Sequence, residues 1–133
     1  MSNVNRGRVL VVDDDELVLK STARLLRSLG YDTLTAVDGA EAVAVFEERC
    51  ESIDLVLLDM VMPNLGGTQT YHILRKLDPR VRVLLTSGYS DHQNVEALLD
   101  AGAHGFLPKP LQVSELQDQV AAALGARRDR DGS

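Results

Sequence analysis

Short apolar runs alternate along the chain with stretches whose apolar residues recur at helical spacing. Arg8 to Val12 (RVLVV) is a continuous β-branched and leucine run that stops at acids. Such a run suits a strand buried on both faces. Glu16 to Leu29 then carries Val18, Thr22, Leu25, Leu26 and Leu29 on one helical stripe, and Gly30 follows as a helix-ending residue. Tyr31 to Ala36 reads as a second strand. Asp38 and Glu41 have capping-box spacing and open a helix to about Cys50.

The pattern repeats three more times. Asp54 to Leu58 is a strand ending at Asp59, and Met60 to Gly67, with Pro63 and two glycines, is a loop. Thr68 to Leu77 is a helix stopped near Pro79. Val81 to Thr86 is a strand ending at Ser87-Gly88. Ser90 and Gln93 have the spacing of another capping box, opening a helix to Ala101. His104 to Leu107 is a short strand closed by Pro108-Lys109-Pro110. Val113, Leu116, Val120 and Leu124 make the stripe of a last helix, ended by Gly125.

Five βα units of this kind predict an α/β fold with a parallel sheet covered on both faces. Right-handed crossovers make it doubly wound. A ligand site is then expected beyond the carboxyl ends of the strands, at a switch point.

Composition narrows the reading. The chain has 133 residues, enough for one domain and too few for two. A chain of this size hides about 65% of its unfolded surface on folding. One cysteine, Cys50, leaves no internal disulfide framework and fits a reducing cytoplasm. The first residues do not read as a secretion signal. No apolar run is long enough to span a membrane. The net charge of -6 argues against direct nucleic-acid binding as the main role.

The predicted carboxyl ends carry the candidate chemistry. The first strand delivers Asp13 and Asp14, the third Asp59, the fourth Ser87 and the fifth Lys109. Clustered carboxylates repel one another unless a cation intervenes. The candidate donors are oxygens, with no His or Cys nearby in sequence, so Mg2+ suits them better than Zn2+. Each residue alone has a plainer explanation. Asp14 or Asp15 can cap the first helix, Asp59 and Ser87 can be turn residues, and Lys109 can be a solvated charge. Lys109 stands out because 11 of the 14 basic residues are arginine. A compact ammonium approaches one phosphoryl oxygen as a point charge.

The stretches Val9 to Asp15, Asp54 to Gly67, Val83 to Ser90 and Gly105 to Pro110 together resemble the receiver domain of bacterial two-component response regulators. The likeness covers about Arg8 to Leu124. It implies a flavodoxin-like sheet of order 2-1-3-4-5 with five helices, a receiver domain over residues 8–125, and flexible ends at 1–7 and 126–133. It implies that Asp59 takes a phosphoryl group from a histidine kinase or a histidine phosphotransfer protein. Asp14, Asp59 and the Val61 carbonyl would bind Mg2+ directly, and Asp13 through a water. Lys109 would neutralise developing charge. Ser87 would bond the phosphoryl group, with Thr86 as the rival hydroxyl. Strand alternation cannot aim both at one site.

The resemblance also implies a cis Lys109-Pro110 bond and a glycine after the loop at Gly67. Phe106 corresponds to an aromatic switch, though its residue type alone suits the core. The switch would alter a face made by the fourth helix, fifth strand and fifth helix, where a partner binds. The chain is then a cytoplasmic signalling phosphoacceptor that catalyses only its own phosphorylation and slow dephosphorylation. Val61 and Tyr89 depart from the polar residues of many relatives and predict slow self-dephosphorylation. Gly88, where relatives often carry Ala, widens the site slightly.

Three other readings fit the residues less well. A dehalogenase-type hydrolase built on Asp13-x-Asp15 needs further acids and a cap domain. A flavin or nucleotide binder needs a glycine-rich phosphate loop, where this chain has acids. A degenerate receiver acting as a phosphorylation-independent scaffold needs none of the site residues, all of which are present.

Overall fold

A computed structural model describes the backbone of residues 6–88 and 92–132, and the side chains of these except 92, 93 and 126–132. Five strands form one parallel sheet: β1 (Arg8–Val12), β2 (Asp32–Ala36), β3 (Leu55–Asp59), β4 (Val83–Ser87) and β5 (Gly105–Pro108). Their order is β2-β1-β3-β4-β5, as expected. The helices are α1 (Glu16–Ser28), α2 (Gly39–Arg49), α3 (Gly67–Leu77), α4 (His92–Ala101) and α5 (Val113–Gly132).

The continuous apolar strands bury both faces, and alternate residues serve different helices. Leu10, Val12, Val56, Leu58, Val83 and Leu85 pack under α2, α3 and α4 with Phe46, Tyr71, Leu74 and Leu98. Val9, Val11, Leu55, Leu57, Leu84 and Leu107 pack under α1 and α5 with Leu19, Leu26, Leu116 and Val120. Each fully buried leucine or valine contributes about 1.5–3 kcal/mol relative to exposure. The sheet is thus the shared wall of two cores.

The capping residues behave as their chemistry dictates. The Asp15 carboxylate accepts from the amides of Leu17 and Val18, and the Asp38 carboxylate from Glu41. Glu41 reaches back to the Val37 amide rather than to that of Asp38. Gly30 adopts a φ of +100° just after α1, a conformation open to glycine.

Several boundaries differ from the sequence expectation: β2, β3 and β5 each start one residue later, and β3 and β5 also end one residue later. The second helix stops at Arg49 and gives way to a 3-10 turn over Cys50–Ser52. The fourth strand starts later, at Val83, and includes Ser87. The fifth helix runs through Gly125 to Gly132. A Cβ at Gly125 would meet nothing within 4 Å, so the helix there faces open space and a glycine only lowers its propensity without breaking it. Ahead of β1, Arg6 donates its amide to the Gly30 carbonyl and Gly7 accepts from Asp32, lengthening the ladder to β2. The expected Ser90 cap and Tyr89 lie outside the described residues.

Candidate functional site

Parallel strands end together, so the carboxyl edge gathers residues far apart in sequence. Asp13 follows β1, with its amide bonded to the Ala36 carbonyl of β2 at 3.2 Å. Asp59 closes β3 and pairs in register with Thr86 of β4. Lys109 follows β5, and its amide donates to the Ser87 carbonyl at 2.9 Å. The Lys109-Pro110 bond is cis.

Lys109 Nζ lies 2.7 Å from Asp13 Oδ2 and 3.3 Å from Asp59 Oδ2. The other oxygen of each carboxylate takes a backbone amide. Asp15 donates to Asp13 Oδ1 at 2.9 Å, and Val61 donates to Asp59 Oδ1 at 3.2 Å. Asp13 and Asp59 are almost wholly buried, at 3% and 2% exposure. Asp14 is exposed on the solvent side. One carboxylate oxygen from each of Asp13, Asp14 and Asp59 lies within 4.8 Å of the others. Among the described residues three carboxylates therefore face one ammonium, leaving two negative charges. An all-oxygen set with that deficit fits a hard divalent cation such as Mg2+.

Burial pushes the Asp59 carboxyl up to about 6, against the pull of the Lys109 charge and the Val61 amide. For Lys109 burial works the other way, favouring the neutral amine. Its hydrogen bond to Asp13 and its attraction to both carboxylates outweigh burial and raise its pKa. The ammonium is held charged beside a carboxylate whose charge is costly to keep in the absence of a cation.

The loop from Met60 to Gly66 shapes the rim. Met60 donates to the Thr86 carbonyl at 2.8 Å, and Gly67 donates to the Met60 carbonyl at 3.1 Å. A Cβ at Gly67 would stand 2.6 Å from Met60 Cα, so glycine is required by close approach. Asn64 takes a positive φ of 66°, a conformation that Asn tolerates better than most residues. Val61 is half exposed, at 52%.

Thr86 and Ser87 are both buried. Ser87 shares its face of the sheet with Val83 and Leu85, and Thr86 shares the opposite face with Leu84. Phe106 is half-buried and packs on the same side as Leu85, its register partner. The structure thus brings Asp13, Asp14, Asp59 and Lys109 together, and places Ser87 and Phe106 on one face of adjacent strands. Sequence reasoning missed the direct Asp13–Lys109 pair, which needs β1 and β5 to end at the same level. A second feature beside the site went unread. A groove of about 620 Å³ runs between α1 and the turn after β5, lined by Leu17, Val18, Leu25, Lys109, Pro110 and Leu111.

Residues 9–121 match the response regulator receiver domain family, and the chain belongs to it. The chain is 42% identical over 126 residues to the transcriptional regulatory protein PrrA of Mycobacterium bovis, covering 95% of this chain and 53% of PrrA. It thus spans about half the length of that curated relative. A receiver domain protein from Clostridium thermocellum has a similar structure, with a TM-score of 0.88, 31% identity and coverage of 92% of this chain and 97% of that one. The CheX-CheY-BeF3-Mg2+ complex of Borrelia burgdorferi gives a TM-score of 0.83 at 32% identity, covering 87% of each chain. Among the described residues no helix is long and apolar enough to cross a membrane.

Proposed function

We propose that Asp59 accepts a phosphoryl group from the phosphohistidine of a histidine kinase or a histidine phosphotransfer protein. A carboxylate oxygen of Asp59 attacks phosphorus, the phosphorus–nitrogen bond breaks, and the imidazole leaves with the bonding electron pair. The product is an acyl phosphate. Such transfer asks the protein mainly for position and charge. Lys109 supplies a fixed ammonium for the transferring oxygens, and Asp13 holds that ammonium in place at 2.7 Å. The Ser87 hydroxyl bonds the phosphoryl group after transfer.

Asp14, Asp59 and the Val61 carbonyl would hold Mg2+, with Asp13 acting through a water. The bound ion supplies charge neutralisation at the phosphoryl oxygens. The Borrelia relative's complex with BeF3 and Mg2+ supports this assignment. Ser87 and Phe106, on one face of β4 and β5, then couple phosphorylation to the surface of α4, β5 and α5, where a downstream partner docks.

One observation carries the reading: Lys109 sits against both Asp13 and Asp59, within a three-carboxylate cluster. Incubation with acetyl phosphate and Mg2+, followed by intact mass, tests it. A single phosphate-sized adduct that vanishes in Asp59→Asn is expected. An adduct-free wild-type chain points instead to a phosphorylation-independent scaffold.

A further inference from the structure

Gly39 opens α2, and its φ is not among the positive values that call for glycine. Alanine at an ordinary helical position is better by about 1 kcal/mol. The glycine thus weakens the helix, and what it provides is space. A Cβ at Gly39 would overlap Thr70 Oγ1 of α3 and stand 2.7 Å from the Leu65 carbonyl oxygen and 3.0 Å from Leu65 Cβ. The carbonyl is backbone, so relief requires the loop or the helix to move. Gly66 offers a contrast in the same loop, since a Cβ there meets nothing within 4 Å.

The surroundings show what would move. Leu65 lies in the loop that begins at Asp59. Thr70 is fully buried, and its hydroxyl donates to the Gly66 carbonyl at 2.8 Å. The near end of the loop is tied to β4 through Met60 and Thr86, and closed on itself by Gly67 and Met60. Its far end is seated on the first turn of α2. A shift at Leu65 is passed along a loop that must keep the Val61 amide on Asp59 Oδ1 at 3.2 Å.

We infer that Gly39 is a positioning residue for the phosphoacceptor loop, holding Val61 in register with Asp59 by letting α2 abut Leu65 and Thr70. The inference rests on the reading of Asp59 and the Val61 carbonyl as Mg2+ ligands. It assigns the start of α2, which contributes no ligand, a share in setting the affinity of the site.

The test compares Gly39→Ala with Gly66→Ala in the full chain. Mg2+ affinity is measured by calorimetry, and the Val61 amide resonance is followed in EDTA. Gly39→Ala is expected to weaken Mg2+ binding by about tenfold, the usual cost of disturbing groups that orient metal ligands, and to displace the Val61 resonance. Gly66→Ala is expected to leave both at wild-type values. Wild-type affinity and an unmoved Val61 amide in a folded Gly39→Ala chain overturn the inference. Should that variant not fold, Thr70→Val removes the hydroxyl bond to the Gly66 carbonyl and sets a methyl against Gly39, disturbing the same contact from α3, and unchanged affinity there overturns it equally. A wild-type chain that binds no Mg2+ defeats the functional reading instead. The Val61 resonance then decides the Gly39 inference by itself.

Discussion

Lys109 Nζ stands between two carboxylates, 2.7 Å from Asp13 and 3.3 Å from Asp59. It joins the ends of three strands, β1, β3 and β5, through a single ammonium. Removing that charge leaves two buried carboxylates facing each other. Lys109→Met is therefore expected to slow phosphorylation by acetyl phosphate about 100-fold, the scale of losing one preorganised donor. Mg2+ affinity should hold or rise, because a competing cation is gone. Equal loss of Mg2+ binding and transfer, measured side by side, would contradict this role.

The buried Asp59 carboxyl makes the metal-free fold sensitive to pH. Its pKa is about 6 in the folded protein against an ordinary 3.8, so the folded state takes up this proton more readily than the unfolded chain. The resulting stability is fully present below 3.8 and is lost as pH rises through about 6. In EDTA, Asp59→Asn should melt above the wild type at pH 7.5 (about neutral). The gap should close as the pH falls toward 4, and added Mg2+ should narrow it at neutral pH. A gap independent of pH in thermal melts would refute the assignment.

Asp14 and Asp13 should separate by readout. Asp14 is exposed on the solvent side of the cluster, so Asp14→Asn should fold normally while losing at least about tenfold in Mg2+ affinity. Asp13 is buried against Lys109. Asp13→Ala should lower thermal stability as well, since it strips a half-buried cation of its nearer partner. Calorimetric Mg2+ titration and thermal melts of both variants check this. Identical behaviour of the two would count against the division.

Val61 is exposed at the rim and offers no side-chain hydrogen bond to a hydrolytic water. The acyl phosphate on Asp59 is expected to be long-lived without an outside phosphatase. Val61→Asn should release phosphate several-fold faster, about 1 kcal/mol in barrier at most for one added neutral hydrogen bond. An unchanged release rate in the variant sinks the idea.

Much of the fold was legible because local chemistry and long-range packing agree. RVLVV and DLVLL are too uniformly apolar to lie on a surface, which forces helices onto both sides. Asp15 and Asp38 announced helix starts through their capping carboxylates. The misreadings came where local signals compete. Gly125 reads as a stop, yet α5 continues through it, because one glycine costs about 1 kcal/mol and no packing opposes the helix. Gly39 reads as an ordinary residue of a capping box. Its role depends on Leu65 and Thr70, which no spacing rule places beside it.

The same division holds at the site. Residue type and position after a strand determined by themselves that Asp13, Asp14, Asp59, Ser87 and Lys109 would gather at one sheet edge, because parallel strands all end on the same side. Only the tertiary structure decided how they pair. The order β2-β1-β3-β4-β5 and the level at which each strand ends bring Lys109 against Asp13 first and Asp59 second. The two cores on either face bury Asp59 enough to raise its pKa, and burial is a sum over the whole fold that no short motif contains.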